Sequence, residues 1–148
     1  MEVVKDTSLL EAVREEVKEA LVTDGETGAR SFDSKKLLSL PLLQSVYAEA
    51  IRLHLAINIT REVVQPMTVD GYTLPKHAII QAPTTIAHYD ENVWASQGHP
   101  ASEFWAERHI KYHEMVDETG NTSRSREFSM SARPSEFFPY GTYSHIEG

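Results

Sequence analysis

The sequence predicts a mainly α-helical protein with small β-sheets. In residues 1–58, apolar residues recur every three or four positions in several stretches, which is the spacing of an amphipathic helix. In residues 59–88, β-branched residues become frequent, and Asp70-Gly71 has the composition of a tight hairpin turn. The chain has 148 residues and an apolar fraction of 41%, which is enough for one domain with a buried core.

The first helix is predicted to begin at Ser8 and to run for about four turns. Ser8 and Glu11 have the spacing of a capping box, in which the two side chains satisfy free backbone N–H groups. Gly25 and Gly28 mark the break that follows. The apolar residues at helical spacing are Leu9, Leu10, Val13, Val17, Ala20 and Leu21.

Two more helices are predicted before residue 58. A short helix within residues 32–40 opens after Asp33, which can cap it. Ser39 and Pro41 indicate the start of a longer helix, because serine caps free N–H groups and proline is tolerated in the first turn. This third helix is expected to end near Asn58.

Strands and turns are predicted after the third helix. Residues 59–64 and 78–81 have strand composition, and residues 69–72 form a hairpin turn. Residues 83–88 are expected to contain a helical turn.

The remaining chain is predicted to be irregular. Residues 90–100 are expected to form a loop. Residues 111–134 are polar and show no periodicity, so we expect a surface meander or partial disorder.

Composition excludes several classes of function. The formal net charge of −8 argues against a nucleic-acid partner, because phosphate binding needs clustered Lys and Arg. No apolar run approaches the roughly 20 residues that span a bilayer, and no targeting signal is present, so we expect a soluble chain without a membrane segment. The chain has no cysteine, which removes disulfides and thiolate chemistry.

Glu49 is the most informative residue of the third helix. At about 100° per residue, it falls inside the apolar arc that includes Leu42, Val46 and Leu53. Burying a lone carboxylate costs several kcal/mol, so Glu49 needs cationic and hydrogen-bonding partners. Arg52, one turn on, is the nearest candidate. Taken alone, such a pair is also common on solvated helix faces.

Three sequence elements follow one another in the chain: Glu49-x-x-Arg52, Phe104-Trp105-Ala106-Glu107-Arg108-His109, and the C-terminal run that begins Phe138-Pro139-Tyr140-Gly141. Together they resemble the C-terminal part of a cytochrome P-450, a haem-thiolate monooxygenase. The resemblance covers nearly the whole chain. The patterns at residues 104–109 and 144–146 are most similar to those of fungal members.

The resemblance implies one partial cytochrome P-450 domain over residues 1–148, from the helix before the Glu-x-x-Arg helix to the haem-ligand loop. Its parts are helices in 1–58, a β-hairpin and strands in 59–88, the Phe-Trp-Ala-Glu-Arg segment and meander in 89–136, and a truncated haem-ligand loop in 137–148.

The resemblance also implies roles for individual residues. Glu49, Arg52 and Arg108 would form a buried structural network around the haem, although His109 stands where an aromatic residue is usual and Ala106 where proline is usual. Arg61 would bind a haem propionate, or it is simply an exposed strand arginine.

The haem ligand is the point where the chain departs from the family. Aligning the Pro139-Tyr140-Gly141 run with the family loop puts Glu147 at the expected cysteine, and His145 would then face a propionate. A second register, anchored on Phe138, puts His145 at the ligand position instead. We favour the first because it preserves more matches, and in both registers the thiolate that favours O–O cleavage is missing.

The family activity implied is insertion of one oxygen atom from O2 into an organic small-molecule substrate, with haem as cofactor and electrons from a reductase. Because the cysteine ligand and the oxygen-activating helix are missing, we expect this fragment to be inactive as it stands. The alternative is a non-catalytic remnant or interaction fragment that binds no haem. Full-length relatives are often anchored at the endoplasmic reticulum, and the localisation of this chain stays open.

Overall fold

The computed structural model describes residues 2–116, 122–130, 137 and 139. These residues form six helices and four two-stranded antiparallel sheets. The predicted combination of helices with small β-sheets is therefore confirmed. None of the described helices has both the length and the apolar character that a membrane crossing requires.

Two helices open the chain, α1 (Glu2–Lys5) and α2 (Thr7–Lys18). The prediction that Ser8 caps the first long helix was wrong, because Ser8 lies inside the first turn. Asp6 is the cap: its carboxylate accepts hydrogen bonds from the backbone N–H groups of Ser8 and Leu9 at 3.0 Å.

A hairpin that the sequence did not predict follows α2. Strand β1 (Leu21–Thr23) pairs with β2 (Arg30–Phe32), so Leu21 belongs to a strand and not to the helix. Asp24 closes the turn by accepting hydrogen bonds from the backbone N–H groups of Glu26 and Thr27. Such local side-chain bonds offer the backbone an alternative to continuing a helix.

The short helix α3 (Ser34–Leu37) begins after Asp33, whose side chain caps it as predicted. The long helix α4 (Pro41–His54) begins at Pro41, but Ser39 is not its cap, and it ends before Asn58. Its N-cap residue, Leu40, makes no side-chain hydrogen bond to the helix.

Glu16 on α2 caps α4 from outside the helix. Its two carboxylate oxygens accept hydrogen bonds from the backbone N–H groups of Leu42 and Leu43 at 3.0 and 2.8 Å. The free N–H groups of a helix start favour an anion at this position. Glu16 thereby connects α2 to the beginning of α4.

The middle of the chain follows the predicted strands closely. Strand β3 (Asn58–Glu62) pairs with β6 (Ile79–Pro83). Strands β4 (Met67–Val69) and β5 (Tyr72–Leu74) form the predicted hairpin. Asp70 and Gly71 occupy its turn with φ of 47° and 81°, a conformation that Asp-Gly adopts readily.

Two short helices follow β6. The predicted helical turn is α5 (Thr84–His88). Helix α6 (Glu91–Trp94) lies where a loop was expected, and its Asp90 cap accepts a hydrogen bond from the backbone N–H of Asn92 at 2.9 Å.

For residues 111–116 and 122–128, the prediction of a surface meander or partial disorder was wrong. Strands β7 (Ile110–Val116) and β8 (Thr122–Phe128) pair over seven residues each. Polar cross-strand contacts stabilise them in place of apolar alternation. The Arg124 guanidinium lies 3.6 Å from the Tyr112 ring centroid, and His113 Nε2 lies 2.6 Å from Glu127 Oε2.

The apolar core lies between α4, α2 and the segment that precedes β7. Leu42, Val46 and Ala106 form its buried centre. The residues packed against them are Val3, Leu9, Val13 and Phe104. This packing holds the inner face of α4 against residues 104–109, and Glu49 lies on that face.

Candidate functional site: a buried ion network on α4

Glu49 is completely buried, with 0% of its surface exposed. It lies on the inner face of α4 with Leu42, Ser45 and Val46, as the helical spacing of the sequence predicts. A carboxylate in this buried position needs charged and hydrogen-bonding partners that replace water.

Arg52 binds Glu49 through two parallel hydrogen bonds. Its Nε donates to Oε2 and its Nη2 donates to Oε1, both at 2.8 Å. This two-pronged arrangement is the strong form of an arginine–carboxylate contact. Arg52 itself is only 1% exposed, so the pair is buried as a unit.

Arg108 approaches the same carboxylate from the segment before β7. Its Nε donates to Oε1 of Glu49 at 2.8 Å, and the backbone N–H of Trp105 donates to Oε1 at 3.2 Å. The predicted residues Glu49, Arg52 and Arg108 are thus brought into direct contact. Nε2 of His109 also lies 3.5 Å from Oε2 of Glu49.

The remaining N–H groups of the two arginines bind backbone carbonyls of neighbouring segments. Arg52 donates to the carbonyl of His88 at 2.5 Å and to that of Glu103 at 3.4 Å. Arg108 donates to the carbonyls of Trp94, Pro100 and Glu103, the last two at 2.9 Å. The ion network therefore fastens α4 to α5, to α6 and to residues 100–108.

The electrostatics of the site keep Glu49 ionised. Burial alone raises the pKa of this carboxyl, but the hydrogen bonds from Arg52 and Arg108, together with the nearby His109 imidazole, outweigh burial and hold its pKa well below the ordinary range. A carboxylate whose pKa is held this low is a poor proton donor or acceptor at neutral pH. The arrangement is suited to holding backbone segments in place.

Aromatic rings surround the network. The Arg52 guanidinium lies 5.2 Å from the ring of Trp94, and that of Arg108 lies 5.6 Å from the ring of Trp105. The Trp94 indole N–H donates to the carbonyl of Ala87 at 2.8 Å. Sequence reasoning missed Trp94 because α6 was predicted as a loop, although Asp90 just before the helix is a recognisable cap.

Arg61 lies on β3, away from the contacts that Glu49 makes. Its side chain is exposed, and its Nη1 donates to the carbonyl of the neighbouring Thr60 at 2.9 Å. Its strand partner is Ile80. The propionate-binding role of Arg61 stays a prediction.

The two ligand candidates, His145 and Glu147, lie outside the described residues. Of the predicted ligand loop, residues 137–148, the structure describes only residues 137 and 139. The chain contains no cysteine, so its donor set does not fit a thiolate-ligated haem. The two histidines that are fully buried in the described part, His88 and His109, pack around Trp94, with ring centroids 6.4 and 5.9 Å from that of the indole. Within the described residues, no three His, Asp or Glu side chains are grouped so that they could hold a metal ion.

Comparison with known proteins matches this chain to one family. The sequence model of the cytochrome P-450 family matches residues 1–119. The cytochrome P-450 monooxygenase calL of Penicillium decumbens is 50% identical over 95% of this chain and 25% of its own length. The monooxygenase fsoE of Humicola fuscoatra is 34% identical over 76% of this chain and 21% of its own length.

A third relative shows the same pattern. The cytochrome P-450 monooxygenase efuG of Hormonema carpetanum is 28% identical over 99% of this chain and 29% of its own length. All three relatives come from fungi, which confirms the expected similarity to fungal sequences. The chain spans only about a quarter of the length of these relatives.

Proposed function

This chain belongs to the cytochrome P-450 family, and we propose that it supplies the Glu-x-x-Arg core of a haem-dependent monooxygenase. Such an enzyme inserts one oxygen atom from O2 into an organic substrate and takes electrons from a reductase. We assign residues 1–148 to one partial domain of that enzyme. In it, Glu49, Arg52 and Arg108 have a structural role.

The ion network around Glu49 is the observation that supports this role. One buried carboxylate binds two guanidinium groups, and these in turn bind carbonyls from three other segments of the chain. Removing any member leaves a buried charge or carbonyl without its partner, which costs more than the contact itself contributes. The network is therefore well suited to fixing the backbone around a cofactor site.

We further propose that these 148 residues do not insert oxygen by themselves. The family chemistry depends on a cysteine thiolate bound to the haem iron, and this chain has no cysteine. Glu147, or His145 in the second register, would occupy the ligand position without supplying that electron donation. Arg61, and His145 in the first register, are the cations proposed to face the haem propionates.

A second candidate is a non-catalytic remnant that binds no haem. The same donor set favours it, because neither a carboxylate nor an imidazole at the ligand position supplies the thiolate that holds the haem iron in this family. The two candidates differ in one observable property, which is stoichiometric haem binding.

Haem titration of the purified chain tests both candidates. The absorption spectrum of the reduced carbonyl complex would be compared among the wild type, Glu147→Cys and His145→Cys. A Ser31→Cys variant serves as the control, since Ser31 is exposed on β2 and any thiolate signal there would be non-specific.

We expect a thiolate-type carbonyl spectrum from Glu147→Cys and from neither the wild type nor the control. The same spectrum from His145→Cys alone would favour the second register. Absence of haem binding in every variant would favour the non-catalytic remnant. Oxygen insertion by the wild-type chain with haem and a reductase would contradict the proposal of inactivity.

A further inference from the structure

We propose that His109 is a positioning residue that completes the coordination of Glu49 by donating an imidazole N–H to Oε2. The two carboxylate oxygens of Glu49 accept different numbers of hydrogen bonds from the other donors. Oε1 accepts three hydrogen bonds, from Arg52 Nη2, Arg108 Nε and the backbone N–H of Trp105. Within the described part of the chain, Oε2 accepts one, from Arg52 Nε. A carboxylate offers about four acceptor sites, two on each oxygen, so Oε2 has room for one more donor.

His109 is the side chain held next to that vacant position. Its Nε2 lies 3.5 Å from Oε2, and only 1% of the residue is exposed. This distance is longer than an ordinary hydrogen bond, and Nε2 has no closer partner among the described residues. Because buried polar atoms are nearly always paired, a small shift that brings Nε2 to Oε2 would satisfy both atoms at once.

The surroundings of His109 fix the orientation of its ring. Its backbone N–H donates to Oγ of Ser45 on α4 at 3.2 Å. Its ring makes an edge contact with Trp94, at 5.9 Å between centroids, and a tilted contact with Phe128, at 6.2 Å. The imidazole therefore packs as an aromatic side chain while presenting a polar edge to Glu49.

Charge balance favours a neutral imidazole with its proton on Nε2. The charged groups in contact at this site are the Glu49 carboxylate and two arginines, Arg52 on both oxygens and Arg108 on Oε1, which together carry an excess of one positive charge. A third cation in this buried site would add a desolvation cost that nothing compensates. A neutral Nε2–H donor serves the carboxylate without adding that charge.

This role goes beyond the proposed function and does not depend on haem binding. Where an apolar aromatic ring would only pack, His109 also binds the carboxylate. Because His109 directly precedes β7, the contact would join the β7–β8 hairpin to α4 through Glu49. It would also restrict rotation of the Glu49 carboxylate about its side chain.

Nitrogen NMR of the full chain labelled with ¹⁵N-histidine tests the proposal directly. The correlation pattern between ring protons and ring nitrogens distinguishes the Nε2–H tautomer, the Nδ1–H tautomer and the imidazolium ion. The His109 signals would be identified by their loss in His109→Phe. We expect the Nε2–H tautomer in the wild type. The Nδ1–H tautomer would overturn the proposal, because its Nε2 has no proton to donate, and an imidazolium ion would overturn the neutral state inferred from charge balance.

A double-mutant cycle separates hydrogen bonding from packing. His109→Phe keeps an aromatic ring but removes the donor, and we expect it to lower the folded-to-unfolded ratio about tenfold. In a Glu49→Gln background, the same change should cost less than about twofold, because the charged acceptor is gone. Equal cost in both backgrounds would show a role in packing alone and would overturn the proposal.

The control variant is His113→Phe. His113 lies four residues on, is exposed on β7, and pairs with Glu127. It should leave the folded-to-unfolded ratio nearly unchanged in both backgrounds.

Discussion

Two charged regions of this chain are built in opposite ways. On and beside α4, Glu49, Arg52 and Arg108 are buried and bind one another and other groups of the chain. On β3, Arg61 is exposed, and the hydrogen bond that it makes goes to the carbonyl next to it. In the first region protein groups replace water, so each residue depends on the others. In the second region water solvates the charge, and Arg61 is available for a ligand without being needed for folding.

Glu16 lies between these two extremes. Like Glu49 it is a buried glutamate on a helix, but its main partners are two backbone N–H groups of α4. Its cationic contact is with the half-exposed Arg126, at 3.4 Å. Loss of Glu16 would therefore leave neutral donors unpaired, whereas loss of Glu49 would leave two buried cations unpaired. Unpaired buried cations cost more than unpaired neutral donors, so we expect a larger loss of stability from mutation of Glu49 than from mutation of Glu16.

The largest effect is expected for Glu49→Ala. It leaves the guanidinium groups of Arg52 and Arg108 buried without a counter-charge, so we expect the free energy of unfolding to fall by about 3 to 5 kcal/mol. Urea unfolding followed by the fluorescence of Trp94 and Trp105 measures the change. The matched control is Glu62→Ala, which removes an exposed glutamate from β3 and should cost less than about 1 kcal/mol. An equal fall in the free energy of unfolding for the two variants would show that the two regions do not differ in how strongly they depend on their charges.

Acid should weaken the Glu49 region in a characteristic way. The pKa of Glu49 is lower in the folded chain than the ordinary value of about 4.3 that applies when it is unfolded. Its contribution to stability is therefore fully present above that ordinary value and is lost as pH falls towards its folded pKa. The free energy of unfolding, measured from pH 7 down to about pH 3, should fall less steeply in Glu49→Gln than in the wild type. Parallel curves would mean that Glu49 does not titrate differently in the folded chain.

An intermediate effect is expected for Glu16→Ala. It removes the cap of α4 and leaves two N–H groups without their acceptor, which costs about 1 to 3 kcal/mol. Hydrogen exchange should show faster exchange of the Leu42 and Leu43 amides. Glu15→Ala, the exposed neighbour on the same helix, should leave these amides unchanged, and an identical exchange pattern in both variants would argue against capping by Glu16.

The smallest effect is expected for Arg61→Ala. Because its charge is solvated, the free energy of unfolding should change by no more than about 0.5 kcal/mol. The thermal unfolding of Arg61→Ala should be compared with that of Arg52→Ala, which removes a buried arginine. The same substitution is then tested in both regions. A loss from Arg61→Ala comparable to that from Arg52→Ala would show that β3 also depends on its charge.

Local patterns in the sequence were sufficient for part of the fold. Asp33 before α3 and Asp70-Gly71 between β4 and β5 act through contacts within a few residues, and both predictions were confirmed. The helical spacing that placed Glu49 on the apolar face of α4 is equally local. In these cases the chemistry of neighbouring residues decides the backbone conformation.

Other elements had no local signal of that kind. Most positions of the β7–β8 hairpin are polar, so no regular apolar alternation indicates it, although Ile110 pairs with Phe128 at one end. Cross-strand pairs such as Arg124 with Tyr112 help to stabilise it. Helix α6 has four residues, too few to show a helical period. Glu16 caps a helix that begins 25 residues later in the chain, which no local motif can indicate.

The sequence by itself determined that a carboxylate lies on the buried face of α4 and that Arg52, one turn away, can reach it. These statements need only the helical period and the cost of burying a charge. The family resemblance already predicted Arg108 as the third member of the network. Only the tertiary structure decided that Nε of Arg108 lies 2.8 Å from Oε1 of Glu49, and that His109 approaches the second oxygen. Packing of the segment before β7 against α4 brings these groups together, and contacts between residues distant in the chain depend on that packing.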